Sequence, residues 1–411
     1  MDENAFDSSH NHRMMRGQTS TNTRSSKKMY SIALDLPVGA TEIEIDLPGG
    51  LKRTFKKEAI NGNKDSHVEE NVHVLFSSVS PDEDFWAGED TSDGSTFDFI
   101  LDEDGNIHGS LVDLKDATIS QFRVDAEGSP FVVTTPSSEF PDEEDYDDEP
   151  IEDNIMTPSG FDSDQNDNIP HNRDLTMVSL NSTQAIDGYD KKNDSLFQIS
   201  SQPQYQQERS LAFDDSGKNL DVLVVWSKKA ECRESNLPTN CSPTSRTETN
   251  MRAMVRLAVA ETNEAYRLSG VDTQLLLVHA YRHPTYDDPG NFGTTLSHLA
   301  GTSDGNMDDV HTLRARYGAD IVAMIAYARR SCGIGYIGPR KNWMFSVTKY
   351  SCATGHYTFG HEIGHNLGLN HDRGTKEACS SSNYNYGYRD PNAAFRSIMA
   401  YNCKSGQCDN K

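Results

Sequence analysis

Three histidines and one glutamate fall within the eleven residues HEIGHNLGLNH, 361–371. On a helix His361 and His365 stand four apart, so both imidazoles leave one face a turn apart. That separation lets two ring nitrogens reach one metal ion at about 2.0–2.1 Å each. Glu362 lies at the edge of the same face, where a carboxylate can accept a hydrogen bond from a water held by the metal. Gly368 can take the left-handed conformation that ends a helix, after which the chain can bring His371 back to the metal from outside the helix. Three neutral imidazoles leave a fourth zinc position open, the pattern of a catalytic zinc and not of a closed structural one. Zinc lowers the pKa of water and polarises a carbonyl, while Glu362 can take the water's proton and pass it to a leaving amine. The expected chemistry is hydrolysis of an amide bond by a metal-held water. The competing reading is a helix with surface histidines and no metal. Five fixed positions of uncommon types arise by chance in such a chain on the order of once in 10⁵.

The elements that must position these residues follow from periodicity. Phe359, Ile363, Leu367 and Leu369 recur at helical spacing and are expected to face a core. Upstream, LDVLVVW (220–226) is an apolar run of strand length that looks fully buried. After a loop between Cys232 and Cys241, residues 244–270 read as a long amphipathic helix. Its Met251, Met254, Val255, Ala258 and Val259 share one face, and Gly270 ends it. TQLLLVHAY (273–281) reads as a strand, 291–300 and 306–317 as helical, and DIVAMIAY (320–327), CGIGYIG (332–338) and MFSVTKY (344–350) follow. Strands alternating with helices indicate an α/β unit.

The extended pattern H-E-x-x-H-x-x-G-x-x-H followed by a Met-turn is the metzincin signature. HEIGHNLGLNHD, with Asp372 after the third histidine, resembles the adamalysin/reprolysin (M12B-like) branch, and SIMAY (397–401) resembles the Met-turn. The resemblance covers about residues 220–403 and implies hydrolysis of internal peptide bonds in a protein or peptide substrate. It implies an α/β (α+β) fold: a five-stranded twisted mixed sheet above a cleft, with the active-site helix below. It makes Met399 an apolar floor under the zinc histidines. It places CGIGYIG at the upper edge strand, where an extended peptide adds as a further strand. Tyr401, two residues past Met399, is more like the astacin and serralysin branches, in which it ligates zinc or stabilises the transition state; here it is either that or a packed tyrosine. The family carries a helix after the Met-turn that KSGQCDNK cannot supply, so the domain, 220–411, is expected to be truncated at its C-terminus. Proximity in the implied fold suggests the pairs Cys332–Cys352, Cys379–Cys403 and Cys232–Cys241.

The rest of the chain has a different character. The formal charge of −25 divides into −28 for residues 1–219 (17 Lys+Arg against 45 Asp+Glu) and +3 for 220–411 (21 against 18). No basic stripe offers itself to phosphates, which disfavours nucleic acid as a partner. Residues 1–28 read as disordered. Alternating segments such as SIALDLPV, TEIEIDLP, HVLFSSV, STFDFILD and QFRVDA make 29–138 a small β-rich domain of half-buried strands. EFPDEEDYDDEPIED (139–153) carries ten carboxylates and no base and opens an acidic, polar linker expected to be disordered to residue 219. Calcium binding is the sharper alternative for that segment, though no motif supports it.

The β-rich domain then takes the place of a propeptide. Residues 1–231 hold no cysteine, so a cysteine switch on the zinc is excluded. Latency is expected from steric cover or from a carboxylate of the acidic segment, and Lys191–Lys192 and Arg209 are the basic cut points. Seven cysteines, all after residue 231, point to disulfides and a secreted protein, although no signal peptide or transmembrane run is visible. The alternatives in other classes are a catalytically inactive adhesion or binding module on the same fold and an acidic cation-binding protein.

Overall fold

Asp- and Gly-bearing turns cut the N-terminal third into short strands. Asp90, Asp102 and Asp125 each accept backbone N–H groups a few residues on, fixing three of these turns. The computed structural model describes residues 28–31, 42–47, 51–57, 85–140, 219–328, 331–338, 341–373, 384–392, 395–401 and 409–410. The strands are β1 (Lys28–Ser31), β2 (Glu42–Leu47), β3 (Leu51–Lys57), β4 (Trp86–Glu89), β5 (Thr96–Leu101), β6 (Ile107–Asp113), β7 (Thr118–Val124) and β8 (Pro130–Pro136). They form one antiparallel half-barrel sheet in the order β1-β8-β7-β6-β5-β4-β3-β2. Alternate residues, among them Ile45, Phe55, Phe97, Phe99, Leu111 and Phe122, fill its concave core. The other face is buried too. Asp98, Ile100, Ser110, Val112, Gln121 and Arg123 are all at most 7% exposed, so β5, β6 and β7 are not the half-buried strands their alternation suggests.

The C-terminal lobe comprises β9 (Asn219–Trp226), α1 (Lys228–Glu234), α2 (Ser245–Leu268), β10 (Gln274–Arg282), α3 (Phe292–Ala300), α4 (Asp309–Tyr317), β11 (Ile321–Ala326), β12 (Gly333–Gly335), β13 (Phe345–Lys349), α5 (Thr358–Asn366), β14 (Asn370–Asp372) and β15 (Tyr386–Gly387). The short pair β16 (Phe395–Arg396) and β17 (Asp409–Asn410) follows. The main sheet is five-stranded and mixed, in the order β10-β9-β11-β13-β12, with only edge strand β12 antiparallel. This is the architecture expected from the resemblance. The continuous apolar run of β9 is explained by two covered faces: Val222, Val224 and Trp226 meet α2 and α5, while Leu223 and Val225 meet α3 and α4.

Helix α2 begins with a reciprocal cap between Thr244 and Thr247 and buries the five residues expected to share its inner face. Gly270, just past its end, has φ +68°. The segment read as a loop between Cys232 and Cys241 contains α1. Ser227 Oγ accepts the Ala230 N–H at 3.2 Å to start it. Its buried residues include Glu231 and Glu234, so it shows no apolar period to read. Cys232–Cys241 and Cys332–Cys352 are disulfides, with Cα atoms 5.8 and 5.5 Å apart.

Both lobes belong to one compact body. Lys28, Glu139 and Phe140, assigned above to disordered segments, are part of it, and Phe140 is buried against His356. HVLFSSV, Cys379, Cys403, Cys408 and the linker from residue 141 to 218 lie outside the described residues. Among the described residues, no helix is long and apolar enough to cross a membrane.

Candidate metal centre

Helix α5 carries two of the three histidines. Phe359 and Ile363 are buried in the core beneath the sheet, which sets the rotation of the helix. His361 and His365 then project from its other side, 6% and 4% exposed. The helix ends in a Schellman motif: Gly368 N–H donates to His365 O at 2.9 Å and Leu369 N–H to Gly364 O at 2.9 Å. Gly368 itself has φ +93°, the left-handed turn expected of it. This turn swings β14 back and delivers His371. Leu369, expected to face the core, is instead 36% exposed, because the turn takes it off the helical face.

The three imidazoles converge. His371 Nε2 lies 3.2 Å from His361 Nε2 and 2.9 Å from His365 Nε2. His361 Nδ1 faces the Ile398 carbonyl at 2.7 Å, and His365 Nδ1 faces the Leu369 carbonyl at 2.8 Å. A carbonyl can only accept, so both Nδ1 atoms carry the proton and both Nε2 atoms present lone pairs to the cluster. Two imidazole lone pairs converging with a third imidazole nitrogen make a donor set that fits a metal ion. Among the described residues this is the one group of three or more His, Cys, Asp or Glu side chains placed to share a metal.

The surroundings fix this group in place. Met399 is buried beneath α5, its Sδ 2.5 Å from where a Cβ on Gly364 would stand, so the small residue between the two histidines lets the floor approach. Tyr401 lays its ring on His371, with centroids 4.2 Å apart. Asp372 points away from the cluster. Its Oδ2 accepts the Tyr401 N–H at 3.2 Å and pairs with Arg389 Nε at 3.2 Å, and Arg389 also donates to Tyr401 O at 3.0 Å. Asp372 therefore clamps the turn after Met399 to the strand that carries His371.

Glu362 is 1% exposed and lies against edge strand β12. A Cβ on Gly333 would overlap its Oε1, and one on Gly335 would fall 2.8 Å from its backbone oxygen. Asn366 binds the helix to the same region, donating to Tyr336 O and Phe345 O at 2.9 Å each. The roles of Gly333, Asn366 and Arg389 are not apparent from motif spacing, because each depends on a partner distant in sequence. The glycines of CGIGYIG were the one available signal.

A family model described as metallo-peptidase family M12B, reprolysin-like, matches residues 239–410. A peptidyl-Asp metalloendopeptidase of Stenotrophomonas maltophilia (strain K279a) is 42% identical over 158 residues, covering 38% of this chain and 38% of that protein. One from Xanthomonas campestris pv. campestris is 41% identical over 158 residues, covering 38% and 37%. A third, from Pseudomonas fragi, is 33% identical over 144 residues, which take in 35% of this chain and 74% of that relative. The chain belongs to the reprolysin-like M12B metallopeptidases. In this reprolysin-like domain the histidine cluster is the family's three-histidine metal site. The matched part spans less than two-fifths of the first two relatives' length.

Proposed function

We propose that the chain is a zinc-dependent endopeptidase that cuts internal peptide bonds next to aspartate. The observation that carries this is the convergence of three imidazoles with Glu362 buried beside them under an edge strand. His361, His365 and His371 would hold the ion through Nε2. Zinc, when bound, supplies a Lewis acid that polarises the scissile carbonyl and makes water acidic near neutrality. Glu362 is the base: it takes the proton of the attacking water and returns it to the leaving amine. Strand β12, paired on one side with β13, offers its other side to an extended substrate. Met399 keeps the underside of the cluster apolar. Tyr401, its ring tilted against His371, orients that ring and brings a phenol close to the reacting centre.

The aspartate preference comes from the relatives, which are peptidyl-Asp metalloendopeptidases. It fits the +3 balance of residues 220–411. The two disulfides favour a secreted protein. A set of quenched peptides that differ only in one residue, Asp, Asn, Glu or Ala, tests the reading. Purified full-length protein should hold one zinc per chain and cut the Asp peptide at that residue. Cleavage indifferent to the Asp-to-Ala change would remove the specificity, and no cleavage of any peptide would remove the activity.

A further inference from the structure

We propose that the N-terminal β lobe is a permanent structural half of the peptidase, docked behind the active-site helix, and that Gln121 is a positioning residue for the turn that launches that helix. Helix α5 starts without a side-chain cap: the residue before it, Tyr357, is left-handed at φ 62°. Its start is set by the turn 351–357, and the β lobe holds that turn. Gln121 Nε2 donates to Thr354 O at 3.0 Å and to Ser351 O at 3.3 Å. Arg123 Nη2 donates to Gln121 Oε1 at 2.7 Å, which fixes the amide's orientation. Gly355 (φ +72°) is so close to Ile119 and Ser110 that a Cβ would stand 2.7 Å from Ile119 Cγ2. Phe140 stacks on His356 at 4.7 Å, and His356 Nδ1 reaches Thr358 Oγ1, the first residue of α5, at 2.9 Å.

The contact extends beyond the turn. Asn250 of α2 donates to Val124 O at 2.7 Å, and Arg123 meets Glu234 of α1 at 3.4 Å, both side chains buried. Val112, Ile119 and Phe140 pack with the Cys332–Cys352 bridge, and Ile100 packs with Ala253 and Leu257 of α2. Parting the lobes would strip partners from buried carbonyls and from a buried ion pair, and would expose two apolar clusters. None of these contact residues is Glu362 or one of the three histidines. Among the described residues, the lobe's contacts fall on the turn before the helix and on α1 and α2.

The test uses the full chain with a specific protease site inserted between residues 156 and 217. After cutting, the two pieces should co-elute on size exclusion as one species of the intact chain's size, with zinc affinity unchanged. In the uncut chain, Gln121→Ala should weaken zinc about 3- to 10-fold in a chelator competition, less than the roughly 10–100-fold typical of a group bonded directly to a ligand. Asn250→Ala, which loosens the same contact away from the turn, should leave zinc affinity within twofold of wild type. Pieces that separate while the C-terminal one keeps its zinc affinity would overturn the permanent-half claim. Equal losses in the two variants would overturn the role of Gln121, and if either variant fails to fold the cut chain decides. Neither readout depends on which peptide bonds are hydrolysed.

Discussion

At the scale of single residues, the Glu362 carboxylate is pressed against a glycine. Glu362 has its place because Gly333 has no side chain. Gly333→Ala should displace the carboxylate while leaving the three imidazoles alone. A shift of that kind costs roughly 10²-fold in rate when it moves a base by about an ångström. The expected outcome is kcat down by about that factor with one zinc per chain retained, read by steady-state kinetics beside metal analysis. A parallel loss of zinc would mean that the glycine supports the histidines instead. The convergence of His361, His365 and His371 was legible because helical spacing and a glycine-terminated turn are local properties. Asp372 was legible only as a motif position. Its work, holding Arg389 and the Tyr401 backbone, depends on residues that spacing does not connect.

At the scale of elements, the decisive device is the Schellman end of α5. Gly368→Ala would place a Cβ in a left-handed conformation at a cost of about 1–2 kcal/mol. It should also weaken zinc, because His371 reaches the cluster only through that turn. Thermal melts with and without added zinc check both parts, and an unchanged zinc affinity would show that His371 can return by another path. Long periodic elements such as α2 and the buried strand β9 could be read from the sequence to within a residue or two. Helix α1 could not, since its inward residues include Glu231, satisfied by Trp226, Thr247 and Arg282, and Glu234, which faces Arg123. Leu369 was misplaced for a related reason: helical periodicity does not extend past the glycine that breaks it.

At the scale of the whole molecule, the two lobes behave as one body with charged groups sealed between them. Glu234 shares an interlobe cavity with His108 and Arg123. Burial pushes its carboxyl up to about 7, outweighing the pull of Arg123 in the other direction. Burial likewise raises Glu261, with Asp98 adding to the effect. A carboxyl raised in the folded state holds its proton more tightly there than in the unfolded chain. The stability these two carboxyls contribute is therefore fully present below the unfolded value near 4.5 and is lost as pH rises toward 7. Relative to wild type, Glu234→Gln should gain melting temperature as pH rises across that window; a difference between the two that does not change with pH would contradict this. The polar residues Asp98, Ser110, Gln121 and Arg123 read as a solvated strand face in sequence, because the surface that buries them lies more than a hundred residues away.

The most direct test of the central claim is zinc content and peptide hydrolysis measured on one preparation of Glu362→Ala in the full chain. With Glu362 as the base and the histidines as ligands, this variant should keep one zinc per chain and lose hydrolysis by about 10²–10⁴-fold. Hydrolysis near the wild-type rate with zinc bound would contradict that account.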